Sequence, residues 1–215
     1  MKNYVITIED IPRSVQIAER CIASGARHGT RIEKFKAITP YNTDIYAMAK
    51  EEGINVDGFK EVYSRLDNCL AAFLSHYNIW KLAAEYHDTT TIFEHDAVVV
   101  NQLNSTIPFN KVVNLGKPSY GKFNIPTALG TQPLVHKKYF GGAHAYRMNS
   151  NGAKELIKQA KIHAKPTDVF LHIDTFPWLQ ENYPWKVEAR DAFTTIQNER
   201  GCLAKHGYGE GYEIL

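Results

Sequence analysis

Short apolar runs of strand length alternate with longer stretches of helical spacing through the first half of this chain. Tyr4-Val5-Ile6-Thr7-Ile8 has the β-branched and aromatic content of a buried strand. Asp10-Ile11-Pro12 then reads as a helix start, because a proline near the first helical position lacks only an N–H that would have no intrahelical partner. Val15, Ala18 and Ile22 fall on one face of that helix, and Gly25 is placed to stop it. Ile32 to Ile38 reads as a second strand closed by Pro40, and Ile45, Met48 and Ala49 mark a short helix ending at Gly53. The longest helix is expected over Leu66 to Tyr86, with Leu70, Phe73, Leu74, Tyr77, Trp80 and Ala84 in one stripe at helical period. Ser75 and His76 lie off the centre of that stripe.

The next run, Thr89 to Val100, breaks its own pattern. Its β-branched and aromatic opening stops at Glu94-His95-Asp96, and the apolar run resumes at Ala97. Unpaired charge in an apolar setting is costly, so two carboxylates inside a buried strand call for a reason. Strand alternation would place Glu94 and Asp96 on one side and His95 on the other. Two carboxylates converging at a strand end suit a hard divalent cation with positions left open for phosphate oxygens. A hydrated loop between two strands reads the same triplet.

Asn101 to Pro133 is long and irregular, with Val112 to Leu115 as a possible strand, and loops of this length are usually functional or mobile. Leu134 to Met148 reads as a strand whose Gly141-Gly142 pair permits close backbone approach. Ser150 is expected to cap a helix carrying Ala153, Leu156, Ile157 and Ala160. Pro166-Thr167-Asp168 opens another, and Pro177 and Pro184 break up the chain beyond that helix. Strands alternating with helices point to an α/β layer fold with a mostly parallel central sheet. Ligands in such folds bind at the carboxyl ends of strands, where Glu94 and Asp96 are expected. The domain is drawn over residues 1–200, with 201–215 as a Gly- and Tyr-rich surface tail.

Composition changes this picture little. The 215 residues carry a formal net charge of +2, too small to announce a nucleic-acid or membrane partner. Cys21, Cys69 and Cys202 are odd in number and far apart, which fits free thiols in a reducing compartment. The amino-terminal apolar run is too short for a signal peptide, and no run is long enough to span a membrane, so a cytoplasmic protein is expected. Gly207-Tyr208-Gly209-Glu210-Gly211 has no helix after it and cannot be a dinucleotide loop.

Four blocks resemble glycosyltransferase family 25, the lipopolysaccharide and collagen galactosyltransferase type. They are Tyr4 to Ile8 with Arg13-Ser14 and Arg20; Leu74-Ser75-His76-Tyr77-Asn78-Ile79-Trp80; Phe93-Glu94-His95-Asp96-Ala97; and Gly142-Ala143-His144-Ala145-Tyr146 through Gly152-Ala153, followed by Pro166-Thr167-Asp168. Their order and spacing agree from Tyr4 to Asp168, which is more specific than any single block. Two positions depart from the family's pattern: His95 stands where the family has a middle acidic residue, and Ala71-Ala72 stand where it usually shows Gly-Cys.

The resemblance implies a GT-A-like nucleotide-sugar-binding fold, with helices on both faces of the sheet, and inverting transfer of a sugar from a nucleotide-diphosphate donor to an acceptor hydroxyl. It implies Mn²⁺ or Mg²⁺ on Glu94 and Asp96; a carboxylate on the opposite face should accept the acceptor's proton, and Asp168 is the candidate, its alternative reading a helix-start carboxylate meeting the macrodipole. It also places Arg13, Ser75, His76, His144 and Tyr146 at the donor. The acceptor stays open. A bacterial-type glycan is one reading. Hydroxymethylated DNA, as used by some phage enzymes, is the other, because Lys122, Lys137, Lys138 and Arg147 interleave with aromatic residues that could stack a displaced base. An inactive nucleotide-sugar-binding module is a third possibility, with His95 as its mark.

Overall fold

The computed structural model describes residues 1–60, 64–87, 89–103 and 106–197. The first half forms β1 (Lys2–Thr7), α1 (Pro12–Arg27), β2 (Glu33–Lys36), α2 (Ile45–Glu51), α3 (Leu66–Tyr86), β3 (Thr90–Glu94) and β4 (Ala97–Val99). The second half forms β5 (Val112–Asn114), β6 (Gly130–Pro133), β7 (Ala145–Met148), α4 (Ser150–Ile162), α5 (Thr167–Phe170), β8 (Gln180–Tyr183) and β9 (Val187–Ala189). The tail assigned to 201–215, with Cys202 and the glycine alternation, lies outside the described residues.

Seven strands build one mixed α/β sheet in the order β2-β1-β3-β7-β5-β8-β6, and β4 pairs with β9 apart from it. β1 runs parallel to β2 and β3, and β5 runs parallel to β8. β7 is antiparallel to both β3 and β5, and β6 is antiparallel to β8. All strands but β6 and β7 therefore point one way, and the carboxyl ends of β1, β3 and β5 meet the amino end of β7 along one edge.

Strand alternation divides the core in two. Ile92, Val112, Tyr146 and Met148 face α3, α4 and α5, whereas Val5, Phe93, Val113 and Ala145 face the α1 and β4 side. Helices thus cover both faces. The buried aromatic cluster of Phe73, Trp80 and Phe170 ties α3 to α5, with Trp80 and Phe170 stacked at 5.6 Å. Aromatic pairs of this kind add roughly 0.5–1.5 kcal/mol each beyond area burial.

Several local expectations shift, each for a visible reason. Gly25 does not end α1. A Cβ there would lie 2.5 Å from Ile32 Cδ1 and 2.9 Å from the Thr30 carbonyl, so the residue serves close packing, and the chain turns at Gly29, where φ is +71°. The cap of α4 is Asn149, whose side chain accepts from the Gly152 N–H at 2.9 Å. The strand expected across 134–148 is confined to β7. The stretch between Pro177 and Pro184, expected to be broken, supplies β8, and β9 comes directly after it.

Candidate functional site

β3 ends at Glu94 because His95 and Asp96 form a turn before β4. That turn undoes the simple alternation expected of the triplet. Glu94 lies toward α3: its Oε1 is 3.3 Å from His76 Nε2, and its backbone N–H donates to the His144 carbonyl at 3.0 Å. Asp96 sits on the α1 side, where its charge bears on Cys21 and it feels the Arg20 charge. His95 turns to the β1–α1 connection, its Nδ1 2.8 Å from Ser14 Oγ, which also accepts the Ile8 N–H at 3.0 Å.

The two carboxyls cannot both ionise cheaply. Burial, and after it the charge of Glu94, raises Asp96 well above the ordinary carboxylate range. Burial also pushes Glu94 upward, but the hydrogen bond from His76 leads the effects that outweigh it and hold Glu94 below its usual value. Asp96 Oδ1 is buried without a hydrogen-bond partner. Burial moves His95 down, against the pull of Glu94 and Asp191, so its ring is neutral at pH 7.

Two carboxylates at the carboxyl edge of a sheet, one with an unsatisfied buried oxygen, are the donor chemistry a hard divalent cation takes, although the turn sets Glu94 toward α3 and Asp96 toward α1. Among the described residues no group of three or more His, Cys, Asp or Glu converges as a cage. The pair would supply at most two protein ligands, leaving the rest to phosphate and water. Mg²⁺ is usually bound in that manner.

Arg13 stands in the first turn of α1, half-exposed. Its Nη2 bonds Asp191 Oδ2 at 2.8 Å and its Nη1 bonds Gln16 at 2.7 Å, while Arg20 Nη2 reaches the same Asp191 oxygen at 3.2 Å. Asp191 is nearly buried and belongs to a segment that runs past the acidic turn: Arg190 N–H donates to the Asp96 carbonyl, and Phe193 lies 5.6 Å from the His95 ring. Sequence reasoning missed Asp191, since the irregular run after Pro184 carries no pattern to mark it.

Ser75, His76, His144 and Tyr146 are all buried, so none presents a surface to a donor in this arrangement. Ser75 Oγ accepts the Ile38 N–H at 2.9 Å and donates to the Ala71 carbonyl, joining α3 to the loop after β2. Tyr146 Oη meets His76 Nδ1 at 2.9 Å and Trp80 Nε1 at 2.8 Å. His144 lies between two glycine backbones: a Cβ on Gly116 would fall 2.4 Å from its Nε2, and one on Gly142 2.8 Å from its Nδ1. Burial pushes His144 down to about 4, against the opposite pull of Glu94 and Glu188.

Asp168 is in the first turn of α5, as expected, and partly buried. Its Oδ2 accepts the Tyr120 hydroxyl and its Oδ1 the Val169 N–H at 2.9 Å. Lys137 lies over both the Tyr120 and Tyr139 rings, and burial lowers it against the pull of Asp168. Of the basic residues expected at an acceptor, Lys122 and Lys138 are exposed. Arg147 is not at a surface at all. It is buried within the sheet, its Nε donating to Thr91 Oγ1 at 3.0 Å, because β7 lies between β3 and β5 instead of on an edge.

Among the described residues no helix is long and apolar enough to cross a membrane. No family model and no curated protein matches the sequence. Solved structures similar to the chain include the glycosyltransferase GlyE of Streptococcus pneumoniae TIGR4, at 10% identity and TM-score 0.35, over 74% of this chain and 37% of that one. A Drosophila β-1,4-galactosyltransferase 7 mutant in complex with manganese, UDP-Gal and xylobiose is similar at 10% identity and TM-score 0.36, over 73% and 52%. The bifunctional glycosyltransferase WbbM is similar at 10% identity and TM-score 0.44, over 86% and 38%. The chain thus spans between 37% and 52% of the length of these three proteins.

Proposed function

We propose that the chain is a metal-dependent, inverting glycosyltransferase that moves a sugar from a nucleotide-diphosphate donor to a glycan hydroxyl. The observation that carries this reading is the Glu94–Asp96 pair at the carboxyl end of β3, with Asp96 driven toward its protonated form and one of its oxygens orphaned. A bound divalent cation inverts that local electrostatic logic and favours both charges. Mn²⁺ or Mg²⁺ held there would neutralise the charge that builds up on the leaving diphosphate. Arg13, half-exposed and paired with Asp191, would turn from that carboxylate to a donor phosphate. Asp168 would accept the proton of the attacking hydroxyl. The Tyr120 hydroxyl and the Val169 N–H, both bonded to it, hold that carboxylate in place.

A glycan acceptor is favoured over DNA by the fate of the basic residues: Arg147 is inside the sheet and Lys137 is folded over two tyrosines, which leaves a sparse positive track.

A panel of nucleotide sugars, screened by thermal shift with and without Mn²⁺, tests the reading. A donor at a hundred times its Kd should stabilise the fold by about 2.7 kcal/mol, and only with metal present. Donor hydrolysis should accompany it, and Asp96→Ala should lose both. Metal-independent binding without turnover would support a binding module instead, and the absence of any stabilising donor would refute the proposal. Binding to hydroxymethylated duplex DNA that weakens steeply with salt would move the acceptor to nucleic acid.

A further inference from the structure

Behind Glu94 runs a hydrogen-bond chain whose direction is set by which atoms can donate. An indole N–H only donates, and an ionised carboxylate only accepts. Trp80 Nε1 therefore gives its hydrogen to Tyr146 Oη, 2.8 Å away. The hydroxyl's own hydrogen is then directed to its other neighbour, His76 Nδ1, at 2.9 Å. With Nδ1 accepting, a neutral His76 carries its proton on Nε2, which lies 3.3 Å from Glu94 Oε1. The other tautomer would set a nitrogen lone pair against the carboxylate and leave the Tyr146 hydroxyl hydrogen without an acceptor on either of these neighbours.

The surroundings keep this chain from turning over. Trp80 and Tyr146 are fully buried and His76 nearly so. The His76 and Tyr146 rings are stacked 12° from parallel, and Trp80 is packed between Phe73 and Phe170. Phe170 lies two positions beyond Asp168 in α5, so the same aromatic packing reaches the helix that carries the other proposed catalytic carboxylate.

We propose that Trp80 and Tyr146 are positioning residues for Glu94: they hold His76 as a fixed Nε2–H donor on one carboxylate oxygen and so aim the other at a ligand. The ligand half of this proposal rests on the cation reading above; the tautomer half does not. Partners that orient a ligating carboxylate typically contribute 10- to 100-fold to metal affinity.

Nitrogen-15 NMR of the histidine rings in the metal-free protein, with His76 assigned through His76→Gln, reads the tautomer directly. Wild type should show protonated Nε2. Glu94→Gln removes the acceptor-only end, because an amide can donate or accept, and His76 should still keep the Nε2–H form. Adding Trp80→Phe or Tyr146→Phe to Glu94→Gln should give a mixture of tautomers. An Nδ1–H ring in wild type, mixed tautomers in Glu94→Gln alone, or an unchanged ring in the double variants would each overturn the proposal. Mn²⁺ titration followed by electron paramagnetic resonance supplies the second readout. Tyr146→Phe should bind Mn²⁺ more weakly than wild type, by less than the roughly 10- to 100-fold typical of a group that itself bonds the ligating carboxylate. Unchanged affinity would refute the positioning role. A wild type that takes up no Mn²⁺ would instead refute the cation reading, leaving the ring result to decide the tautomer half.

Discussion

The clamped histidine gives the sharpest test of the electrostatics. His144 is neutral in the fold, its pKa moved by burial from an ordinary 6.5 to about 4. In the unfolded chain it takes up a proton near its ordinary value. Its contribution to stability is therefore complete above about pH 6.5, falls as the pH drops through the window between the two values, and is gone below about 4. At about 1.4 kcal/mol per pKa unit, that shift amounts to about 3 kcal/mol in total, of which about 2 kcal/mol is already lost at pH 5. The assay is urea unfolding of wild type and His144→Leu across pH 8 to 4, with His144→Gln as a second non-titrating control. Other titrating groups act alike in all three proteins, so the difference between their curves isolates His144. The reasoning predicts that wild type loses about 3 kcal/mol more than either variant over this range. Parallel curves would refute it, whatever the variants do to stability at pH 8.

Three further outcomes are expected from the geometry. Asp96→Asn should abolish metal-dependent donor binding without lowering the thermal midpoint at pH 7, because the wild-type carboxyl is disfavoured in its charged form; a lowered midpoint would show that Asp96 is stabilising instead. Gly116→Ala should destabilise the fold by about 1–3 kcal/mol in chemical denaturation, since its Cβ would fall 2.4 Å from the buried His144 ring and interiors resist overpacking. Asp191→Asn should cost about 1–2 kcal/mol, at the low end for a broken ion pair because Arg13 and Arg20 are partly exposed. It should also free Arg13, so donor binding measured by calorimetry should not weaken; a loss of donor affinity would argue that Asp191 itself supports the site.

How much is legible in the sequence differs from element to element. The helix Leu66–Tyr86 matches its sequence expectation to the residue, because a 21-residue amphipathic pattern averages over many positions. β8 and β9 escape such a reading for the opposite reason: each has three or four residues, and their pairing with β5, β6 and β4 is a long-range event that no local pattern announces. Gly25 reads as a stop from its neighbours along the chain, whereas its role is set by Ile32, which only the folded chain brings against it. The site shows the same division. Glu94 and Asp96 stand out because charge interrupts an apolar run, but the turn at His95-Asp96 sends them to different faces. Ser75, His76, His144 and Tyr146, expected at the donor, are marked by their company in the sequence, and burial keeps them from any surface.

By itself the sequence determined the alternation of strands and helices in the first half, the α/β class and the interruption that marks an acidic pair, all of which depend on spacings within about one element's length. Only the tertiary structure decided that β7 runs antiparallel inside the sheet and buries Arg147, that Asp191 meets two arginines, and that a tryptophan, a tyrosine and a histidine line up behind Glu94. Those contacts join residues far apart in the chain, and their energies depend on burial and direction, quantities that come into being when the layers close.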